Sequence, residues 1–129
     1  MEKTDKIKLV VADDAPFIRE IIRQIAKGDE SLVLVGEAQD GEDVIEVVSC
    51  TRPDVILMDI VMPKKNGIEA TKIILEKYPK IKVIAFSTLD DESMLLKALD
   101  AGCCNYLKKP FDAQSVKKII YNSILGESA

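Results

Sequence analysis

Residues 55–63 read "VILMDIVMP": four apolar side chains in unbroken succession, a bridge to Asp59, and a proline that breaks the chain at position 63. A strand with one face in water alternates apolar and polar residues. One that reads as nearly continuous Val, Ile and Leu is buried on both faces, which requires a parallel sheet covered by helices on each side. An acidic residue at the end of so apolar a run needs a reason, because a buried charge without a partner is costly.

The same kind of run recurs outward in both directions, at "IKLVVA" (7–12), "LVLVGEA" (32–38), "KVIAFS" (82–87) and "CNYLKK" (104–109), with "DVILMD" (54–59) as the third of five. Segments of helical spacing follow each of them. In the first, Phe17, Ile18, Ile21, Ile22 and Ile25 share a stripe that Gly28 ends, and in the last Val116, Ile119, Ile120 and Ile124 do the same. Residues 41–51, 66–78 and 91–101 are the intervening helices, the last of them with Gly102 as its C-cap. Five strand-then-helix units without repeats or linkers predict a doubly wound α/β fold, and residues 1–129 are expected to form one domain.

Composition narrows the function. A net charge of -4 and a pI near 4.9 argue against a general attraction for nucleic acid. The apolar runs are far shorter than the roughly 20 residues a bilayer span needs, and no signal peptide is recognisable, so no membrane insertion and a cytoplasmic location are expected. Cys50, Cys103 and Cys104 form no C-x-x-C, so neither a disulfide framework nor a zinc site is indicated and the three are read as small apolar packing.

Doubly wound sheets bind their ligands beyond the carboxyl ends of the strands, so those ends decide the chemistry. Asp13 and Asp14 follow the first run, Asp59 ends the third, Ser87 and Thr88 end the fourth, and Lys109 before Pro110 ends the fifth. Each has a purely structural alternative: Asp14 and Ser87 as helix caps, Asp59 as the opening of a turn, Lys109 as an ordinary strand end. Their joint placement at successive strand ends favours chemistry. Three carboxylates at one edge repel by about 1–4 kcal/mol per pair near 4 Å, so the arrangement calls for a cation. Mg²⁺ suits it, since that ion takes a few carboxylate oxygens and keeps positions for phosphate oxygens; with no histidine in the chain, zinc does not. A carboxylate can also attack phosphorus when metal and lysine neutralise the transferring group.

The set "ADDA" (12–15), "LMDIVMPKKNG" (57–67), "VIAFST" (83–88) and "YLKKPF" (106–111) resembles the receiver domain of two-component response regulators, in particular its stand-alone, CheY-like members. The resemblance covers essentially the whole chain. It implies a flavodoxin-like (βα)5 fold with strand order 2-1-3-4-5. It makes Asp59 the residue phosphorylated by a histidine kinase, and Asp13, Asp14, Asp59 and the backbone carbonyl of Val61 the Mg²⁺ ligands. Lys109, joined to Pro110 by a cis bond, then pairs with the phosphoryl group, Ser87 and Tyr106 are the switch residues, and Gly67 occupies the turn before the third helix. A face made by the fourth helix, fifth strand and fifth helix would dock a protein target, with Leu95, Tyr106, Lys108 and Ile119 as its candidate residues.

The chain departs from the common pattern at four places. Ser87 stands where threonine is commoner and Thr88 where a small residue is usual. Val61 and Leu89 fill the two positions that tune phosphate lifetime, and both are apolar, which implies slow self-dephosphorylation. The lysines of "KPFDAQSVKK" (109–118) read as a solvated face. Three function classes follow: a single-domain switch docking on a protein such as a chemotaxis output, a phosphorelay intermediate or detached receiver of a transcriptional regulator, and an aspartate-nucleophile phosphatase. The last usually carries D-x-D after its first strand, whereas the nucleophile here follows the third.

Overall fold

The computed structural model describes residues 6–62, 66–87, 92–109 and 111–126. Five strands, β1 (Ile7–Ala12), β2 (Leu32–Ala38), β3 (Val55–Asp59), β4 (Lys82–Ser87) and β5 (Asn105–Lys108), alternate with α1 (Pro16–Lys27), α2 (Gly41–Thr51), α3 (Gly67–Lys77), α4 (Glu92–Asp100) and α5 (Ala113–Leu125). All strand pairs are parallel and the order is β2-β1-β3-β4-β5, the flavodoxin-like topology.

All five residues of β3 are buried, as their unbroken apolar run requires. The pleat divides them between two cores. Ile56 and Met58 join Val10, Val83 and Ala85 under α2, α3 and α4, where Val44, Val48, Ala70, Ile74 and Ala98 close the layer. Val55 and Leu57 join Leu9, Val11, Ile84 and Phe86 under α1 and α5, through Ile18, Ile22, Ile25, Val116 and Ile120. Each fully buried aliphatic side chain contributes about 1.5–3 kcal/mol, so β3 anchors both layers at once.

Helix starts are set by short polar residues. Asp40, Asn66 and Asp112 accept the backbone N–H three positions ahead at 2.7, 2.9 and 2.7 Å, capping α2, α3 and α5. The N-cap of α1 is instead Ala15, with Pro16 in the first turn and no side-chain cap, so Asp14 is not the cap of this helix. Asp54 lies just outside β3, where its carboxylate accepts the N–H of Lys8 at 2.8 Å.

Two sequence expectations are corrected. Only Ile18, Ile22, Ile25 and Ala26 of α1 face the core, while Phe17 and Ile21 are 66% and 38% exposed, because each is one residue, roughly 100° around the helix, off that stripe. Of the cysteines only Cys103 packs inside, where burial pushes its thiol up to about 11; Cys50 and Cys104 are exposed. Ile119, expected on the apolar stripe of α5, packs partly against the core.

Gly102 adopts φ +119° at the end of α4, as its role as a helix terminator requires. Gly67 answers to a different constraint. A Cβ there would lie 2.1 Å from the carbonyl oxygen of Asp59, and the N–H of Gly67 donates to Ile60 at 2.9 Å. The start of α3 therefore rests directly on the end of β3. Gly67→Ala is expected to destabilise the domain by about 3 kcal/mol by forcing the two backbones apart, measured as a lower urea midpoint with unchanged slope.

Candidate functional site

Asp13 stands one residue past β1 and is fully buried. Its N–H donates to Ala38 at 3.0 Å, Oδ1 accepts the N–H of Ala15 at 2.9 Å, and Oδ2 accepts from Lys109 Nζ at 2.6 Å. Asp59 is the last residue of β3 and is 6% exposed. Its Oδ1 accepts the N–H of Val61 at 3.3 Å, so the turn-opening role is present too, while Oδ2 lies 3.6 Å from Lys109 Nζ. Asp14 is exposed, yet one oxygen from each of Asp13, Asp14 and Asp59 falls within 4.8 Å of the others.

That spacing has an electrostatic consequence. Burial first, and the charge of Asp13 second, push the Asp59 carboxyl up to about 6, with Lys109 acting in the opposite direction. The lysine in this state is bonded to Asp13 and only near Asp59. Oxygen donors alone, two of them buried, fit a hard divalent cation. Lys109 is itself backed by an aromatic pair: its ammonium lies 5.8 Å from the Phe86 ring, which stacks on Phe111 at 5.0 Å. Phe86 lies across the β3–β4 ladder from Asp59; sequence analysis did not single it out, and that register position is the signal that marks it.

Ser87 is buried at the end of β4, and its carbonyl accepts the N–H of Lys109 at 2.8 Å. Val61 is exposed beside Asp59, and Tyr106 is 40% exposed on β5. On α4, Leu95 is half-buried, whereas Leu96 and Leu99 carry the exposed apolar surface, 65% and 38% exposed. Lys108 is exposed and Ile119 half-buried. Leu89, Thr88 and Pro110 with its peptide bond lie outside the described residues.

A doubly wound parallel sheet whose strand-end carboxylates converge on a lysine just past the last strand defines the class of α/β signalling receivers. The chain belongs to the response regulator receiver domain family, whose model matches residues 9–121. It is 41% identical over 112 residues to the transcriptional regulatory protein DegU of Brevibacillus brevis, covering 87% of this chain but 48% of that protein, so it spans about half the length of this relative. It is 36% identical over 113 residues to protein CcdB of Bacillus subtilis (strain 168), covering 88% of this chain and 93% of that protein. Among solved structures, the response regulator domain of Thermotoga maritima CheB superposes with a TM-score of 0.86 at 33% identity, covering 93% of this chain and 97% of that one. No helix among the described residues is long and apolar enough to cross a membrane.

The perturbed carboxyl of Asp59 makes a pH prediction. The folded protein holds this proton more tightly than the unfolded chain, whose carboxyl keeps its usual 3.8, so ionising Asp59 costs stability; the cost is complete above about pH 6 and absent below about pH 4. Asp59→Asn removes it. In EDTA at pH 7.5 the variant is expected to be more stable by about 1–2 kcal/mol once solvent screening is allowed for, or about 4–8 °C in thermal midpoint, with the gain fading between pH 6 and pH 4.

Proposed function

We propose that residues 1–129 form one receiver domain that acts as a phosphorylation switch, in which a histidine kinase transfers a phosphoryl group to Asp59. The observation that carries the reading is the buried convergence of Asp13 and Asp59 on Lys109 with Asp14 beside them. A carboxylate oxygen of Asp59 attacks phosphorus as the bond from phosphorus to the donor breaks, and the donor leaves with that electron pair. Lys109, 3.6 Å from Asp59, moves from Asp13 to the phosphoryl oxygens. Asp13, Asp14, Asp59 and the backbone carbonyl of Val61 would hold Mg²⁺, which supplies positive charge to the transferring group.

The product adds about -1.5 to -2 charge to a site already crowded with carboxylates. Ser87 follows that charge by offering its hydroxyl, Tyr106 turns inward from its half-exposed position, and the face of α4, β5 and α5 changes shape. Leu95, Tyr106, Lys108 and Ile119 were the residues expected on that face; Leu96 and Leu99 add apolar area to it. This is a shift between two packings, so the phosphorylated site must favour one of them.

The output is a protein target of the chemotaxis, CheY-like type, in the cytoplasm and without direct contact to nucleic acid. A second reading, favoured by the identity to DegU, makes the chain the receiver of a transcriptional regulator whose nucleic-acid contacts lie in another domain or partner. In neither is the domain an enzyme acting on an external substrate.

Intact mass after incubation with acetyl phosphate and Mg²⁺ tests the chemistry. One phosphoryl group, roughly 80 Da from its formula, is expected on the wild type; it should be absent with EDTA and absent in Asp59→Asn. An adduct that survives Asp59→Asn, or forms equally well in EDTA, would sink the reading. Because Val61 is apolar and exposed beside the nucleophile, Val61→Asn is expected to shorten the adduct's lifetime several-fold by organising water for attack, followed as the decay of the same mass peak.

A further inference from the structure

Arg19 lies on α1, outside the carboxylate cluster, yet its Nη1 donates to the backbone carbonyl of Asp13 at 2.7 Å. Its Nε sits 3.5 Å from Oε1 of Glu37, and the two side chains are only 19% and 27% exposed. Glu37 precedes Ala38, whose carbonyl accepts the N–H of Asp13 at 3.0 Å. These contacts close a ring: Asp13 carbonyl, Arg19, Glu37, Ala38 and back to the Asp13 amide. With Ala15 and Lys109 on its carboxylate, every polar group of Asp13 has a partner.

The carbonyl that Arg19 holds belongs to the peptide joining Asp13 to Asp14. The orientation of that peptide plane decides the direction in which the two neighbouring carboxylates leave the backbone. Asp13 is pinned by burial; Asp14 is exposed and, among the described residues, no side chain holds its carboxylate, so its backbone aims it toward Asp59. We propose that Arg19, held by Glu37, is a positioning residue for the cation site, fixing the Asp13–Asp14 peptide so that both carboxylates face one point. The inference rests on the reading of this cluster as a Mg²⁺ site and adds to it a support outside the ligand set.

The sign of the effect separates positioning from charge. Arg19 is a cation beside a cation site, so its field alone opposes Mg²⁺, and removing that field alone would tighten binding. Removing a positioning group weakens binding, by about tenfold or more for outer-shell partners of metal ligands. Arg23 supplies the matched control. It pairs with the same Glu37 at 2.8 Å and also with Glu20, but it donates nothing to Asp13.

The test is calorimetric titration of MgCl₂ into the unphosphorylated, EDTA-stripped full chain, with circular dichroism to check folding. Arg19→Met is expected to weaken Mg²⁺ about tenfold, Arg19→Lys to recover part of the loss because its one ammonium nitrogen cannot span the Asp13 carbonyl and Glu37 as the guanidinium fork does, and Arg23→Met to bind within about twofold of wild type or tighter. Arg19→Met binding as tightly as wild type or tighter overturns the assignment, as does an equal loss in Arg23→Met. Should Arg19→Met fail to fold, Arg19→Lys carries the test, with a loss of about threefold supporting the assignment and unchanged affinity overturning it. A wild type that binds no Mg²⁺ overturns the metal-site reading itself and this assignment with it, which distinguishes the two failures.

Discussion

The 2.6 Å bond between Lys109 and the buried carboxylate of Asp13 is the contact on which the site depends. Two acidic groups sheltered from water at neighbouring strand ends repel one another, and one ammonium against Asp13 and near Asp59 offsets part of that repulsion. Its position follows from sheet order. β1 and β3 are neighbours, so their ends bring Asp13 and Asp59 together; β5 is two strands further on, and only a long side chain can return the distance. Phe86, from the intervening β4, supplies the surface across which the lysine stem reaches.

Rigidity around the nucleophile comes from the same economy of space. Asp59 closes a strand buried on both faces, and the backbone of Gly67 presses against its carbonyl. The chain leaving β3 therefore turns away at once, with Met62 buried and Val61 left exposed beside the carboxylate. A side chain held on a buried strand is better aimed than one on a loop, at the cost of burying its charge.

The fold was legible because burial on both faces leaves so plain a mark on sequence. The five apolar runs correspond to the five strands within a residue at their ends, and the aligned acidic, hydroxyl and lysine residues pointed to one edge of the sheet. What escaped the sequence has a common physical origin in contacts between distant elements. An apolar residue one step off the helical stripe, such as Phe17 or Ile21, is indistinguishable from core until the angle between helix and sheet is known. The choice of Asp13 rather than Asp59 as the partner of Lys109 depends on a difference of 1.0 Å between 2.6 and 3.6 Å, which no spacing rule encodes. Arg19 resembles any charged residue of an exposed helix face; its value appears only when the backbone of Asp13 comes within its reach.

The lysine contact also joins residues 96 positions apart. No fragment holding the first three strand-helix units carries both its ends, and β5, only four residues long, docks on β4 alone. During synthesis the acidic residues emerge well before the cation that balances them. The site is thus a property of the finished domain, and a chain halted before its last strand would present Asp13 and Asp59 without the lysine. Completion of the fold and completion of the chemistry are one event, so a partner that recognises the assembled strand ends recognises only chains that have folded to the last unit.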